Sequence, residues 1–365
     1  MTELAELTRQ LVAIDSVNPG LATNGAGEAE IARFVVAWAE RAGLQAELEE
    51  PAPGRPNAIV TARGSGGGGT LLLNAHTDTV GVIGMDDPFS GRIEGDRLYG
   101  RGAYDMKGSL AASLLAAARA SELGLRGDVV VTAVSDEELG SVGSEAVAAT
   151  RRAGAAIVTE PTDERLAVAH KGFAGFEIET EGVAAHGSRP DLGVDAIVRM
   201  GDVLVRLAAL DRELEAREPH ALLGRGSVHA SLVEGGQEYS SYPASCRLTG
   251  ERRLLPGETL EQVESEVRAL LGDLPGSTTM GLSRPPFEMA PDHPFVRLVA
   301  ECAGATELVG MAFWADSGLL GGAGIPTVLF GPRGEGAHAV VEWVDLASLE
   351  RCLDVYVEAA RRVCA

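Results

Sequence analysis

TLLLNAHTDTV, Thr70 to Val80, passes from an unbroken apolar run into a histidine and an aspartate two positions apart. Leu71, Leu72 and Leu73 show no polar alternation, the mark of a strand buried on both faces of a sheet. In open α/β sheets ligands bind just beyond the carboxyl ends of such strands, so His76 and Asp78 stand where a working edge would lie. Taken alone, His-x-Asp reads more simply as a loop whose imidazole bonds a neighbouring carbonyl. The rest of the chain decides between the two.

Working outward, further β-rich runs recur between Ala- and Leu-rich helical stretches: NAIVTA, DVVVTAVS, AAIVTE and, far downstream, IPTVLFG. This alternation predicts a mostly parallel α/β sheet with helices on both faces. EAEIARFVVAWAERAG places Ile31, Phe34, Val35 and Trp38 on one helical face and ends at Gly43, a C-cap signal. GSGGGG, Gly64 to Gly69, reads as a flexible hairpin connection; it precedes a strand rather than a helix and so makes a poor phosphate cradle. Between about Gly175 and Arg284 the texture becomes β-α-β-β-α-β, the ferredoxin-like order, so residues 175–284 are expected to form an insert within a large domain made of 1–174 and 285–365.

Bulk properties narrow the function. A chain of 365 residues is long enough for two domains, and Lys+Arg 31 against Asp+Glu 53 gives a net charge of −22, which argues against nucleic acid or an anionic membrane as partner. Cys246, Cys302, Cys352 and Cys364 are scattered without C-x-x-C spacing, which suggests neither a disulfide framework nor a cysteine metal cluster and fits a reducing cytoplasm. The amphipathic, acidic start MTELAELTRQLVAIDSV lacks the basic start and apolar core expected of a signal peptide, and no segment has 18 uninterrupted apolar residues, so neither a signal peptide nor a membrane span is expected.

Polar residues then collect at the strand ends. His76 and Asp78 follow TLLLNA; Asp136, Glu137 and Glu138 follow DVVVTAVS; Glu160 follows AAIVT; Asp105 lies in the Gly-rich loop YGRGAYDMKGS. Each has a bland reading by itself, DEE as a solvated helix start and Glu160-Pro161 as a turn. His170, His220, His229 and His293 have no ligand-like context and read as surface or satisfied core residues. Converging on one edge, however, five or more carboxylates repel one another unless cations neutralise them. Imidazole with carboxylate is a ligand set that suits zinc, and a shared carboxylate could hold two ions.

HTDTV, GRGAYDMKGS, SDEELGS, VTEPT, AAHGSRPDLGVDAI, ERRLLPGE and FGPRGEGAHAVVEWV, in that order and across nearly the whole chain, resemble the di-zinc peptidase and deacylase family of acetylornithine deacetylase, succinyl-diaminopimelate desuccinylase, aminoacylase and the folate-cleaving carboxypeptidase. The resemblance implies a zinc-peptidase-like catalytic domain carrying a ferredoxin-like lid through which the chain pairs as a homodimer. It implies two zinc ions, with cobalt or manganese able to substitute: His76 and Glu160 on one, Glu138 and His338 on the other, Asp105 bridging. Asp78 would fix the tautomer of His76, Glu137 would be the general base, and the Asp105–Met106 bond would be cis. In the lid, His186 resembles the residue that stabilises the oxyanion, in dimeric members from the opposite subunit, and Arg253, rather than Arg252 on register, the one that grips the substrate carboxylate. Where many members carry Asn in a G-G-x-x-x-N segment, this chain has Ser240, which keeps a hydroxyl but loses the amide's second group. The expected activity is removal of the acyl group from an N-acyl amino acid, with a carboxypeptidase, dipeptidase acting on short peptides, or desuccinylase as alternatives.

Overall fold

The computed structural model describes residues 1–305 and 307–365. The chain divides into two compact units: Met1–Val168 with Met289–Val309 and Ala315–Ala365, and Ala169–Glu288 with Gly310–Trp314.

The strand Leu71–His76 is buried at every position and lies at the centre of the first unit. It runs parallel to Val129–Val134 on one side and to Ala155–Val158 on the other, and Thr327–Leu329 continues the parallel set. Arg55–Ala62 and Gln45–Ala52 then add antiparallel strands at one edge. Helices Gly108–Ser121 and Leu346–Val363 pack on each other and on Leu71–His76, and Asn74 of that strand also donates to Ser144 of the helix Val142–Thr150, so cover on both faces leaves the strand apolar without alternation. Register fixes the working edge. His76 sits opposite Val134 and Asn74 opposite Val158, so the segments that carry residues 136–138 and 160 leave the sheet on the same side as His76.

Two local expectations are corrected. In the helix Ala29–Arg41 the buried stripe is Ile31, Ala32, Val35 and Ala39, with Phe34 and Trp38 only partly covered; the small alanines, not the large rings, face the sheet. The segment Gly64 to Gly69 is not a hairpin connection, because the strands it joins are not neighbours. Ala62 and Leu71 both pair with Val129, from opposite sides, so the glycines step across the start of Val129–Val134. That crossing demands close backbone approach: a Cβ on Gly127 would meet the carbonyl oxygen of Gly69 at 1.7 Å.

Also within the first unit, a small antiparallel sheet of Gly334–Glu335, Trp343–Asp345, Arg97–Tyr99 and Arg92–Glu94 ties together two loops distant in sequence, 100–107 and 336–342.

The second unit has the order Gly172–Glu181, helix Ala196–Ala216, Ser227–Gly235, Ser245–Leu254, helix Leu260–Leu271 and Gly276–Arg284. Its four strands are antiparallel in the spatial order second, third, first, fourth, the ferredoxin-like arrangement. Phe176, Ile178, Met200, Val203, Leu248, Val263 and Val267 form its core. Asp195 caps one helix by accepting from the Val198 N–H, and Thr259 with Gln262 closes a capping box on the other. Among the described residues no helix is long and apolar enough to cross a membrane.

Candidate active site

His76 ends its strand with the imidazole fully buried. Its Nδ1 lies 2.9 Å from the main-chain oxygen of Asp78, which can only accept, so Nδ1 carries a proton and Nε2 is the nitrogen left to bind a metal. Nε2 is 3.0 Å from Asp105 Oδ1 and 3.8 Å from Glu160 Oε1. The imidazole is therefore oriented by the carbonyl of Asp78 more than by its carboxylate, whose Oδ1 is 3.7 Å away. That carboxylate instead accepts the N–H groups of Glu137 at 3.0 Å and Glu138 at 3.2 Å and an Asn18 amide hydrogen at 2.7 Å. Asp78 thus ties the histidine at one strand end to the acidic turn at the next.

A second group forms around His338, held with φ 61° in the loop 336–342. Its Nε2 is 3.0 Å from Glu138 Oε2 and 3.5 Å from Asp105 Oδ2. Asp105 itself lies in the π-helical turn Ala103–Lys107, and its bond to Met106 is cis. The result is two donor triads, His76–Asp105–Glu160 and Asp105–Glu138–His338, each with its donor atoms within 4.8 Å of one another and with Asp105 common to both. Of the two Asp105 oxygens, Oδ1 faces the first histidine and Oδ2 the second.

The electrostatics fit cations in these triads. Burial pushes the carboxyls of Glu137 and Glu160 well above their ordinary range, and the mutual repulsion of the acids adds to it; burial beside Asp105 raises Glu138 in the same way. Hydrogen bonds to Asp105 and Glu138 raise His338 to about 10. Burial would raise Asp105 too, but His338 and His76 outweigh it and hold the carboxyl below its usual value. Protons on both imidazoles are thus standing in for positive charge that the carboxylates require. Divalent ions would supply it and leave the imidazoles neutral, as ligands must be. Glu137 belongs to neither triad, yet its carboxyl senses Glu160, His76, Asp316 and Glu138, which is where an acid that moves protons rather than binds metal would sit.

In the second unit, Ala185–His186 forms a two-residue ladder with Ser241–Tyr242, and the Gly187 N–H donates to the Ser240 carbonyl at 2.6 Å, which brings His186 and Ser240 together. His186 Nδ1 accepts the Ser188 N–H at 3.2 Å and lies 2.8 Å from the Ser188 hydroxyl, which leaves Nε2 as the ring nitrogen for a ligand. Strand alternation separates the two arginines. Arg252 points inward, 1% exposed, and pairs with Glu258 at 2.6 Å and Glu266 at 3.0 Å. Arg253 points to the other face, pairs with Glu251 at 2.7 Å and lies 5.6 Å over the Phe173 ring.

Several buried polar residues could not be singled out from the sequence. Asn18 also donates to Asp136 at 3.1 Å, and Arg55 links Asp136 and Glu28 at 2.7 and 2.6 Å, so the turn that carries Glu137 rests on a buried charged lattice. Asp316 accepts from Ser144 at 2.6 Å within electrostatic reach of Glu137. Glu342 is buried against loop 100–107. Only Glu342 left a signal, an acid between Val341 and Trp343 in an otherwise apolar run.

A family model described as peptidase family M20/M25/M40 matches residues 72–362. The chain is 29% identical to an acetylornithine deacetylase of Erwinia tasmaniensis, over 98% of this chain and 97% of that one. Among solved structures it is similar to an M20 family metallo-carboxypeptidase from Sulfolobus solfataricus, with TM-score 0.81, 21% identity and 98% of each chain covered. It is also similar to the aminopeptidase PepT of Bacillus cereus, with TM-score 0.80, 19% identity and coverage of 99% and 98%. With both triads and the motifs around them lying inside the matched span, the chain belongs to peptidase family M20/M25/M40 and is a metal-dependent hydrolase of amide bonds.

Proposed function

We propose that the chain is a two-zinc amidohydrolase that releases the acyl group from an N-acyl amino acid, similar in activity to the acetylornithine deacetylases it matches along almost its full length. The observation that carries this reading is Asp105 turning one oxygen to each donor triad, with Glu137 a member of neither but within electrostatic reach of Glu160 and His76 in one and Glu138 in the other. His76 and Glu160 would hold one ion, Glu138 and His338 the other, and Asp105 both. When bound, such a pair supplies Lewis-acid activation of the amide carbonyl and of the attacking water. Glu137 takes the water's proton on its carboxylate and passes it to the leaving nitrogen, so the amine departs neutral. Asp78 holds the backbone of Glu137 and Glu138 in place for that transfer. His186 donates from Nε2 to the oxyanion, Arg253 takes the substrate carboxylate in a two-pronged grip, and Ser240 adds a single hydroxyl beside His186.

Homodimerisation through the second unit is part of the proposal. The outer strand Ser227–Gly235 is exposed along most of its length and carries Leu232 at 61% and Val233 at 49% exposure, a bare apolar edge that invites pairing. Four free cysteines agree with a cytoplasmic site of action. The test is a hydrolysis screen of N-acetyl and N-succinyl amino acids against dipeptides, with zinc, manganese or cobalt added in turn. Turnover concentrated on the N-acetyl compounds is the expected result; exclusive cleavage of dipeptides would make the enzyme a peptidase.

A further inference from the structure

Glu342 lies four residues beyond His338, outside both donor triads, yet its carboxylate is 1% exposed and fully engaged. Oε1 accepts the main-chain N–H groups of Tyr104 and Asp105, each at 3.0 Å. Oε2 accepts the Gly102 N–H at 3.1 Å and the Arg101 guanidinium at 2.7 Å. Arg101, 3% exposed, spends its second Nη on the main-chain oxygen of Ala339 at 2.9 Å. The Glu342 carbonyl takes the Gly100 N–H at 3.1 Å, and Trp343 opposite Tyr99 continues the pairing into the small sheet. One carboxylate therefore gathers donors from Arg101, Gly102, Tyr104 and Asp105, while the arginine it holds grips the residue next to His338.

We propose that Glu342, acting through Arg101, is a positioning residue that sets the separation of Asp105 from His338 and so shapes the metal pocket those two share with Glu138. The main-chain N–H groups of Gly102, Tyr104 and Asp105 and the Arg101 guanidinium converge on a single buried carboxylate, while the N–H groups of Arg101 and Ala103 go to Pro88 and Gly100, and that carboxylate is borne by the same short loop as His338. A buried carboxylate facing four N–H donors holds them more strongly than neutral acceptors would, because each bond is charge-assisted. Partners standing behind metal ligands in this way commonly govern affinity by roughly 10- to 100-fold.

The inference rests on the reading of Asp105, Glu138 and His338 as ligands, and the experiment separates the two. Apo protein is titrated with cobalt(II) under a competing chelator, following the visible absorption bands, for wild type, Glu342→Gln, Arg101→Met/Glu342→Met and His338→Ala. In Glu342→Gln the amide keeps one acceptor for Tyr104 and Asp105 but turns an NH2 toward Gly102 and Arg101. The expected result is loss of roughly 10- to 100-fold in affinity at one of the two cobalt sites, altered bands for that site, and a smaller change at the other. kcat should fall with occupancy of the weakened site, KM should hold within about threefold, and excess cobalt should restore part of the turnover. If Glu342→Gln fails to fold, the Met/Met variant, which removes both buried charges at once, is read by the same titration. Unchanged affinity and bands at both sites in a folded variant overturn the proposal, as does equal weakening of both sites in step with the apo melting temperature. Should His338→Ala retain both sites at full affinity, the ligand reading itself has failed, and the inference with it.

Discussion

Neighbouring residues in SDEELG are held by one acceptor and set to different work. The Asp78 carboxylate receives both the Glu137 and Glu138 N–H groups, yet only Glu138 reaches His338, at 3.0 Å. Glu138→Ala should therefore lower metal content, whereas Glu137→Gln should keep it and lose turnover by about 10²- to 10⁴-fold, the usual worth of a positioned proton carrier. Elemental analysis beside a rate assay reads both, and a Glu137→Gln enzyme with near-normal turnover would show that the proton travels by another group. The adjacent arginines divide in the same way. Removing Arg252 leaves Glu258 and Glu266 only the half-exposed Arg217, so Arg252→Met should cost about 1–3 kcal/mol by urea unfolding. Arg253→Met should leave the unfolding midpoint almost unmoved and raise KM. The opposite pattern would exchange their roles. This split is legible from strand alternation alone; the support of Glu137 by Asn18 and Arg55 is not, because single side chains bonded across 60 or more residues leave no periodicity in the sequence.

Elements with a strong period were the readable ones. The unbroken Leu71–Leu73 run announces a strand covered on both faces, and residues beyond such strands gather at one edge because parallel register aligns their ends. Connections were harder. A glycine run reports freedom of the backbone but not its destination, and Gly64 to Gly69 crosses a strand where a hairpin was expected. The helix Ala29–Arg41 shows the companion limit: periodicity finds the face, while the choice between small and large residues on it depends on how closely the sheet approaches. The crossing makes a prediction of its own. Because a Cβ on Gly127 would collide with backbone rather than with a movable side chain, Gly127→Ala should destabilise the fold by about 1–3 kcal/mol. A urea midpoint equal to wild type would mean that the crossing loop yields freely.

Across the whole chain, two kinds of unit answer two kinds of sequence texture: an α/β unit whose strand ends and loops 100–107 and 336–342 carry the donor triads, and a ferredoxin-like unit that holds His186, Ser240 and Arg253. Pairing of two chains through the exposed strand Ser227–Gly235 should appear as a dimer in multi-angle light scattering, and a charged replacement such as Leu232→Lys should shift it toward monomer. A wild-type protein that stays monomeric at full activity would show that the site needs no second chain. The central claim, however, is that Asp105 joins two metal sites into one, and it is tested most directly by counting ions. Elemental analysis of protein loaded with zinc and freed of excess should give two ions per chain in wild type, and Asp105→Ala should lose affinity at both sites, whereas His76→Ala and His338→Ala each weaken one. Wild type with a single ion per chain, or Asp105→Ala that retains both, would contradict it.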